Sequence, residues 1–202
     1  MNRGLARAAA LVMCFSFGLP GQVIEFESNG LKYQTLTKRG VTVMYARLPG
    51  HVHDFSILQV AVSNGSPGPY IIRPEDFSYL KDGGEEAHAW HARDVVELLK
   101  EKGGRGDVMK LVSAYETALY GIPHMKLANA YEARRQAALA EVASTKLKAA
   151  AAASAIALVQ TKLLPGESTD GAVFFALEGK AFGPGKLIVR TNTDTFEFQA
   201  AE

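Results

Sequence analysis

The 202 residues, of which 48% are hydrophobic, are enough for one domain, or for one domain with a large insertion. The 22 basic and 21 acidic residues nearly cancel, so the composition gives no general attraction to nucleic acid or anionic lipid. The single cysteine, Cys14, lies in the N-terminal apolar run, and disulfides therefore cannot hold the rest of the chain together.

The first 21 residues resemble an export signal. Arg3 and Arg7 supply a positive segment, and Ala8 to Leu19 form an uncharged, mostly apolar stretch. That stretch is shorter than the roughly 20 residues of a bilayer span, which disfavours the alternative of an uncleaved anchor helix. We predict cleavage near Gly21 and a secreted or periplasmic protein, residues 22–202, with no membrane span after signal removal.

Short alternating segments separated by turn signals predict antiparallel β-strands after the signal. In Val41 to Leu48, one face carries Val41, Val43 and Tyr45. The segment Phe55 to Ser63 is apolar on both faces, as expected of a strand in a sheet that is covered on both sides. The other predicted strands of this block are Val23–Glu27, Leu31–Thr37, Tyr70–Ile72 and Glu86–Trp90.

The hydrophobic period then changes from two to 3.6 residues, which predicts helices. A first helix is expected over Asp94 to Lys102, ended by Gly103-Gly104, and Asp107 is the expected N-cap of a second. From His124 to about Gln160 the chain has neither proline nor glycine and is rich in alanine, the best helix former. We therefore predict one long helix over that range.

Strand patterns resume after the predicted helices. Ala172 to Leu177 alternates, and a hairpin across residues 192–194 is expected to join Lys186–Thr191 to Thr195–Gln199. Neither block has enough strands for a closed sheet, so the two blocks are expected to complete one antiparallel β-sandwich. The predicted fold is mainly β with a large α insertion.

The boundaries that follow are approximate. Strands are expected at roughly 23–90 and 168–199, interrupted by about three helices at roughly 92–163. If the two strand blocks form one sandwich, then residues from both must share a core. We expect that core to contain Val60, Val62, Phe175 and Val189.

Two blocks of the chain resemble a known group of domains. The first contains FSILQVAVSNGS, IIRPEDFSYL and the KDGG turn, and the second is LLPGESTDGAVFF with the strand Lys186 to Val189. Together they cover about half the chain and are similar to immunoglobulin-like domains of exported bacterial proteins of unknown function, of the DUF4352 and telokin-like kind. The resemblance implies an immunoglobulin-like β-sandwich in an extracytoplasmic setting, and it implies no catalytic or binding residue.

One short cluster has the composition of a metal site. On a strand, His51 and His53 would project from the same face, and two imidazoles with the carboxylate of Asp54 can bind Zn²⁺ or Cu²⁺. The cluster follows Pro49-Gly50, however, and an exposed turn explains it equally well. A periplasmic metal-binding protein is therefore the alternative function, and no other cofactor is expected.

Enzyme chemistry finds no support in the sequence. The chain after the signal has no cysteine nucleophile and no Gly-x-Ser-x-Gly turn, and no serine or threonine follows Gly185-Lys186 as a phosphate-binding loop requires. We therefore expect a non-enzymatic protein-binding or structural module of the bacterial cell envelope. The sequence predicts no nucleic-acid partner.

The predicted long helix is the hypothesised partner-binding element. At about 1.5 Å per residue it would reach roughly 50 Å, more than a sandwich domain covers. Tyr131, Arg135 and Val142 are the residues proposed to contact another envelope protein or a second copy of the chain. The alternative is that all three helices form a closed bundle on the sandwich and bind no partner.

Export predicts a shortened protein in the native host. Because the pattern of Arg3, Arg7 and the apolar run directs cleavage near Gly21, the mature chain is expected to begin at about Gln22. Mass spectrometry of the envelope and cytosolic fractions measures the N-terminus directly. An intact Met1 in a cytosolic fraction would contradict the prediction.

Overall fold

A computed structural model describes residues 21–120, 144–178 and 181–200 of the chain. Over those ranges the chain forms antiparallel strands interrupted by helices. The strands are β1 (Ile24–Ser28), β2 (Leu31–Lys38), β3 (Val41–Val52), β4 (Phe55–Asn64), β5 (Tyr70–Ile72), β6 (Phe77–Lys81), β7 (Glu86–His88), β8 (Thr161–Leu163), β9 (Ser168–Ala176), β10 (Gly185–Arg190) and β11 (Thr195–Ala200). The helices are α1 (Ala92–Lys102), α2 (Arg105–Tyr120) and α3 (Thr145–Ile156).

The strands form a β-sandwich, which confirms the predicted fold class. The first sheet has the order β1-β2-β3-β4-β9, and the second has the order β11-β10-β6-β7. A small third sheet pairs β5 with β8. The described helices lie in the chain between β7 and β8, as an insertion between the two strand blocks.

The two strand blocks meet at the pairing of β4 with β9. This antiparallel pair runs from Phe55 opposite Ala176 to Ser63 opposite Ser168, across more than a hundred intervening residues. The turn at residues 165–167 extends the connection, because the amide of Gly166 donates to the carbonyl of Asn64 at 2.6 Å. The two strand blocks therefore complete one sandwich, as predicted.

The middle position of the first sheet gives β4 two buried faces. One face contributes Leu58, Val60 and Val62 to the core between the sheets, which also contains Phe175 and Val189 as predicted. The other face contributes Phe55 and Ile57 to a second core beneath the helices. The apolar character of both faces in the sequence is explained by these two cores.

The described helices pack on the outer face of the first sheet. Val95 and Leu99 of α1, Leu111 of α2 and the alanine-rich face of α3 share the second core with β-strand residues. Close packing depends on Gly103, where an added Cβ would lie 2.4 Å from the carbonyl oxygen of Leu99 and 2.8 Å from the Cβ of Ala149. The described helices therefore cover the sandwich, and none of them has the length and apolar character needed to cross a membrane.

The prediction of one helix from His124 to Gln160 is wrong within the described residues. Helix α3 begins only after Ser144, whose backbone is extended, and it ends at Ile156. Ala157 and Leu158 are instead drawn onto β9, where the amide of Leu158 donates to the carbonyl of Ala172 at 2.8 Å. Helix propensity loses here to tertiary hydrogen bonding, and the insertion returns to the sandwich before β8.

The start of α2 also differs from the prediction. The helix begins at Arg105, and Asp107 lies inside its first turn rather than at the N-cap. Its carboxylate reaches back to accept a hydrogen bond from the amide of Gly104 at 2.7 Å. Asp107 therefore stabilises the helix start by the reciprocal half of a capping box.

The shared inner core predicts a severe effect of charge at its centre. Val60 is fully buried between the sheets, so Val60→Asp removes an apolar side chain and buries a carboxylate. We expect a loss of more than about 4 kcal/mol in the free energy of unfolding, measured by urea denaturation. Lys186→Asp, at an exposed position of β10, is the matched control and should unfold near the wild-type midpoint. A cooperative Val60→Asp protein of normal stability would contradict this assignment.

Candidate ligand-binding groove

A groove of about 750 Å³ opens at the end of the sandwich formed by β1, β2 and β3. Strand β1 is the outermost strand of the first sheet, and its residues are exposed or half-buried. The edge strand of the second sheet, β11, contacts β2, where Gln34 donates to the carbonyl oxygen of Gln199. The side chains that project inward from β1 and from the ends of β2 and β3 are therefore left open to solvent.

A hydrogen-bonded chain of polar side chains forms the floor of the groove. The hydroxyl of Tyr45 donates to the amide oxygen of Gln34 at 2.8 Å. The amide nitrogen of Gln34 in turn donates to the carboxylate of Glu25 and, at 2.8 Å, to the carbonyl oxygen of Gln199 in β11. Gln34 thus joins the two sheets and holds Glu25 in place.

Arg47 lies beside this chain and is less completely satisfied. Its Nη1 donates a long hydrogen bond of 3.4 Å to the carbonyl oxygen of Phe182. Its Nη2 is buried and has no hydrogen-bond partner in the part of the chain that the structure describes. The guanidinium carbon lies 5.8 Å from the centroid of the Phe182 ring, so the arginine is held against an aromatic face.

Phe182 forms a rigid aromatic wall of the groove. Its ring packs edge-to-face against Tyr79, with centroids 5.0 Å apart, and against Phe175 at 5.5 Å. The residue after it is held by the hydroxyl of Tyr79, which donates to the carbonyl of Gly183. The wall is therefore part of the inner core rather than a loose loop residue.

The phenols near the groove remain neutral at ordinary pH. Burial raises the pKa of Tyr45 to about 12, although the nearby positive charge of Arg47 opposes part of this shift. Burial also raises the pKa of Tyr79, and the Arg47 charge again opposes the shift. The positive charge of Arg47 therefore lies close to both phenol hydroxyls, at this end of the groove.

Charge on the rim of the groove is mixed. Glu25 and Glu27 lie on β1, and Glu27 is opposite Lys32 in the register of β1 with β2. The aromatic ring of Phe26 stacks on that of Tyr33 at 5.1 Å beside them. The groove combines carboxylates, cations and aromatic rings within one cavity, as ligand pockets commonly do.

The predicted metal cluster is not assembled. His51 is exposed and pairs with Ser56 in the register of β3 with β4, whereas His53 lies in the following turn with a φ of 50°. The two imidazoles therefore do not share one strand face. Asp54 is exposed in the same turn.

His53 instead faces a helix. Its Nε2 lies 3.1 Å from a carboxylate oxygen of Asp107, and the ammonium of Lys110 donates to the carbonyl of His51 at 3.2 Å. These contacts dock the start of α2 onto the turn after β3. Within the described ranges, no group of three or more His, Cys, Asp or Glu side chains is placed to hold a metal ion.

The hypothesised partner-binding residues Tyr131, Arg135 and Val142 lie outside the described residues. The hypothesis of partner binding through them stays a prediction. The part of the predicted helix that is described, α3, is mostly buried by alanines against the sheet and α1.

Sequence reasoning missed the residues of the groove. One signal was present: Arg47 continues the alternation of Val41, Val43 and Tyr45 and therefore falls on the core-facing side of β3. A charged residue on such a face is informative, because buried cations are normally paired. The contact with Phe182 had no sequence signal, since 135 residues separate the two.

Comparisons with known proteins give a weak structural match and no sequence match. No protein-family model matches the chain, and no curated protein is similar to it in sequence. The crystal structure of the yjhA protein from Bacillus subtilis is similar over 88% of this chain and 96% of that one. The sequence identity is 9% and the TM-score is 0.36, which is too low to bear on the function of this chain.

The raised tyrosine pKa values predict a loss of stability in alkali. Burial raises the pKa of both Tyr33 and Tyr45 to about 12 from an ordinary value of 10.0. Because the fold favours the neutral phenols, their contribution is complete below the unfolded pKa and is lost as the pH rises through about 12. For Tyr45 the loss should be roughly 2–3 kcal/mol, from two pKa units.

Urea denaturation between pH 9 and 12, together with the ultraviolet absorbance of phenolate, measures both effects (the range spans the two pKa values, about 10 and about 12). Tyr45→Phe is the control, since it should remove one late-titrating phenol and reduce the alkaline loss. If every tyrosine of the folded protein titrates together near the ordinary value, the burial of Tyr33 and Tyr45 is wrong.

Proposed function

We propose that this protein is an exported, non-enzymatic binding module of the bacterial cell envelope and that the groove at β1–β3 is its binding surface. The observation that carries the proposal is the groove itself, which has a volume of about 750 Å³ and a fixed aromatic wall at Phe182. Ligand pockets of proteins commonly have volumes of about 300–1,000 Å³ and a few placed polar groups among apolar ones.

The groove is preformed, because hydrogen bonds and core packing hold its wall residues in place. Gln34 hydrogen-bonds to side chains on both neighbouring strands and to the backbone of the second sheet. Phe182 is packed into the inner core. Because these walls are already ordered, a ligand would pay little of the ordering cost that weakens binding to flexible surfaces.

The protonation states near the groove support binding rather than acid–base chemistry. The residues near the groove whose pKa is shifted include Tyr33, Tyr45 and Tyr79, and burial raises the pKa of each phenol. A raised phenol pKa moves the group further from a proton-transfer role at neutral pH. The non-enzymatic part of the proposal is based on this direction and on the lack of catalytic motifs in the sequence.

The cellular setting is proposed from the N-terminal sequence alone. Arg3, Arg7 and the apolar run before Pro20 have the order of an export signal. Export would place the groove in the envelope or outside the cell. Removal of the signal would also remove Cys14, so the mature chain would fold without a disulfide. Fractionation of the native host therefore tests this half of the proposal separately from ligand binding.

A variant that fills the groove tests the binding half. Ala181 is exposed on the rim beside Phe182, so Ala181→Trp should occupy the cavity without changing the core. In a thermal-shift screen of small organic acids, amines and short peptides, we expect ligands that raise the melting temperature of the wild type but not of Ala181→Trp.

Lys162→Trp is the matched control for that screen. It adds the same ring at an exposed position of β8, away from the groove, and should respond to ligands as the wild type does. Ligands that stabilise the wild type and Ala181→Trp equally would place binding elsewhere. A wild type that no compound stabilises would count against the groove as a binding surface.

A further inference from the structure

We propose that the groove selects ligands that carry a carboxylate group on an apolar or aromatic body, and that Arg47 is the residue that binds the carboxylate. This inference rests on the proposed binding function and adds the class of ligand. It is carried by the contacts of Arg47 and by the composition of the walls around it.

Arg47 has donors that the described protein does not use. A guanidinium carries five N–H groups, and only a 3.4 Å contact to the carbonyl of Phe182 is formed. Its Nη2 is buried without a hydrogen-bond partner, and no carboxylate of the described residues forms an ion pair with it. A buried donor of this kind, without a partner among the described residues, calls for a partner outside them.

The guanidinium is also held in position. It lies over the ring of Phe182 at 5.8 Å, and that ring is fixed by Tyr79 and Phe175. Arginine stacked on an aromatic face keeps its planar fork in one orientation, so less side-chain entropy is lost when a second planar group binds. A carboxylate matches this fork with two parallel hydrogen bonds.

The surrounding charge favours a carboxylate over a phosphate. Glu25 lies close enough for its negative charge to raise the pKa of Tyr45, and Glu27 lines the same groove. A phosphate carries more negative charge than a carboxylate and would be repelled more strongly by these two acids. Lys32 also lines the groove, opposite Glu27 in the strand register, so Arg47 is the cation that lies beside the Phe182 wall.

The walls account for the rest of the ligand. Phe182 lines the cavity beside Arg47, whereas Leu48, Phe26 and Tyr33 line it from the other face of the first sheet. An apolar or aromatic body would bury its surface against the Phe182 ring, while a small inorganic anion would leave that ring unused. The expected ligand is therefore an organic acid rather than a bare ion.

A simpler role for Arg47 must be distinguished from this one. Arg47 contacts the carbonyl and the ring of Phe182. In the simpler role these contacts would only clamp residues 181–183 onto β3. A clamp predicts that loss of the guanidinium lowers stability and leaves ligand selectivity unchanged. A binding residue predicts the opposite.

Calorimetry with matched pairs of compounds separates these roles. The probes are hexanoate, 3-phenylpropionate and indole-3-acetate, each compared with its primary amide, which has the same shape without the charge. We expect the wild type to bind at least one carboxylate roughly 10- to 100-fold more tightly than its amide, as a charged hydrogen-bonded pair provides.

Three variants, with a fourth in reserve, sharpen the test. Arg47→Met keeps the apolar stem against Phe182 and should abolish the preference for the carboxylate, while Glu25→Gln should strengthen carboxylate binding several-fold and leave the amide unchanged. Lys162→Met removes a cation from an exposed position of β8 and should keep the wild-type preference. If Arg47→Met does not fold, Arg47→Lys, which keeps the charge without the fork, should still weaken the preference.

The outcomes distinguish this inference from the proposed function. Amides that bind as tightly as carboxylates, with no effect of Arg47→Met, would overturn the inference while groove binding, blocked by Ala181→Trp, would stand. Inorganic phosphate that displaces the carboxylate would overturn the choice of ligand class. If no carboxylate of the panel binds, then the inference is wrong, and the broader screen with Ala181→Trp decides the function.

Discussion

The rest of the structure depends on β4, a strand that must be buried on both faces. Its inner face packs between the two sheets and its outer face packs beneath the helices, so one strand contributes to both cores. Each fully buried aliphatic or aromatic side chain contributes about 1.5–3 kcal/mol. Neither face could be left to solvent, and this requirement explains why a helical insertion lies on a sandwich that would otherwise expose Phe55 and Ile57.

The pairing of β4 with β9 adds a constraint of topology. The helices are inserted between strands that must lie side by side, and the chain has to return to within hydrogen-bonding distance after them. Gly171 makes that return possible, because an added Cβ would lie 2.5 Å from the Cα of Leu158. The close approach of Leu158 to β9 therefore depends on the absence of a side chain at Gly171.

Local signals predicted most of the strands but not all of the helical region. Alternation and turn residues located β3, β4 and the hairpin of β10 and β11, because each is specified by its own side chains and by the residues that end it. Alanine content suggested a helix as far as Gln160. The chain leaves the helix at Ile156 because hydrogen bonds to Ala172 outweigh a local preference, and no local pattern reveals such a partner.

The groove was harder to predict for a related reason. Gln34 and Arg47 come from the neighbouring strands β2 and β3, but Phe182 follows Arg47 by 135 residues, and only the packing of residues 181–183 brings it to them. The predicted metal cluster was based on His51 and His53, which are close in sequence. Adjacency did not bring them together, since the turn gives His53 a positive φ and directs it toward Asp107.

Keeping an arginine at position 47 lowers the stability of the fold. A buried donor without a partner destabilises a fold by about 1–3 kcal/mol, and an apolar residue on this face would avoid that loss. Glu25 lies near enough to influence the same tyrosine, and its carboxylate accepts a hydrogen bond from Gln34, yet no ion pair joins it to Arg47 in the described residues. Local departures from the rules of packing are expected where a site needs them. The arrangement keeps a cation oriented at the wall of a cavity, and carboxylate binding accounts for a donor that a purely stabilising contact with Phe182 leaves unused.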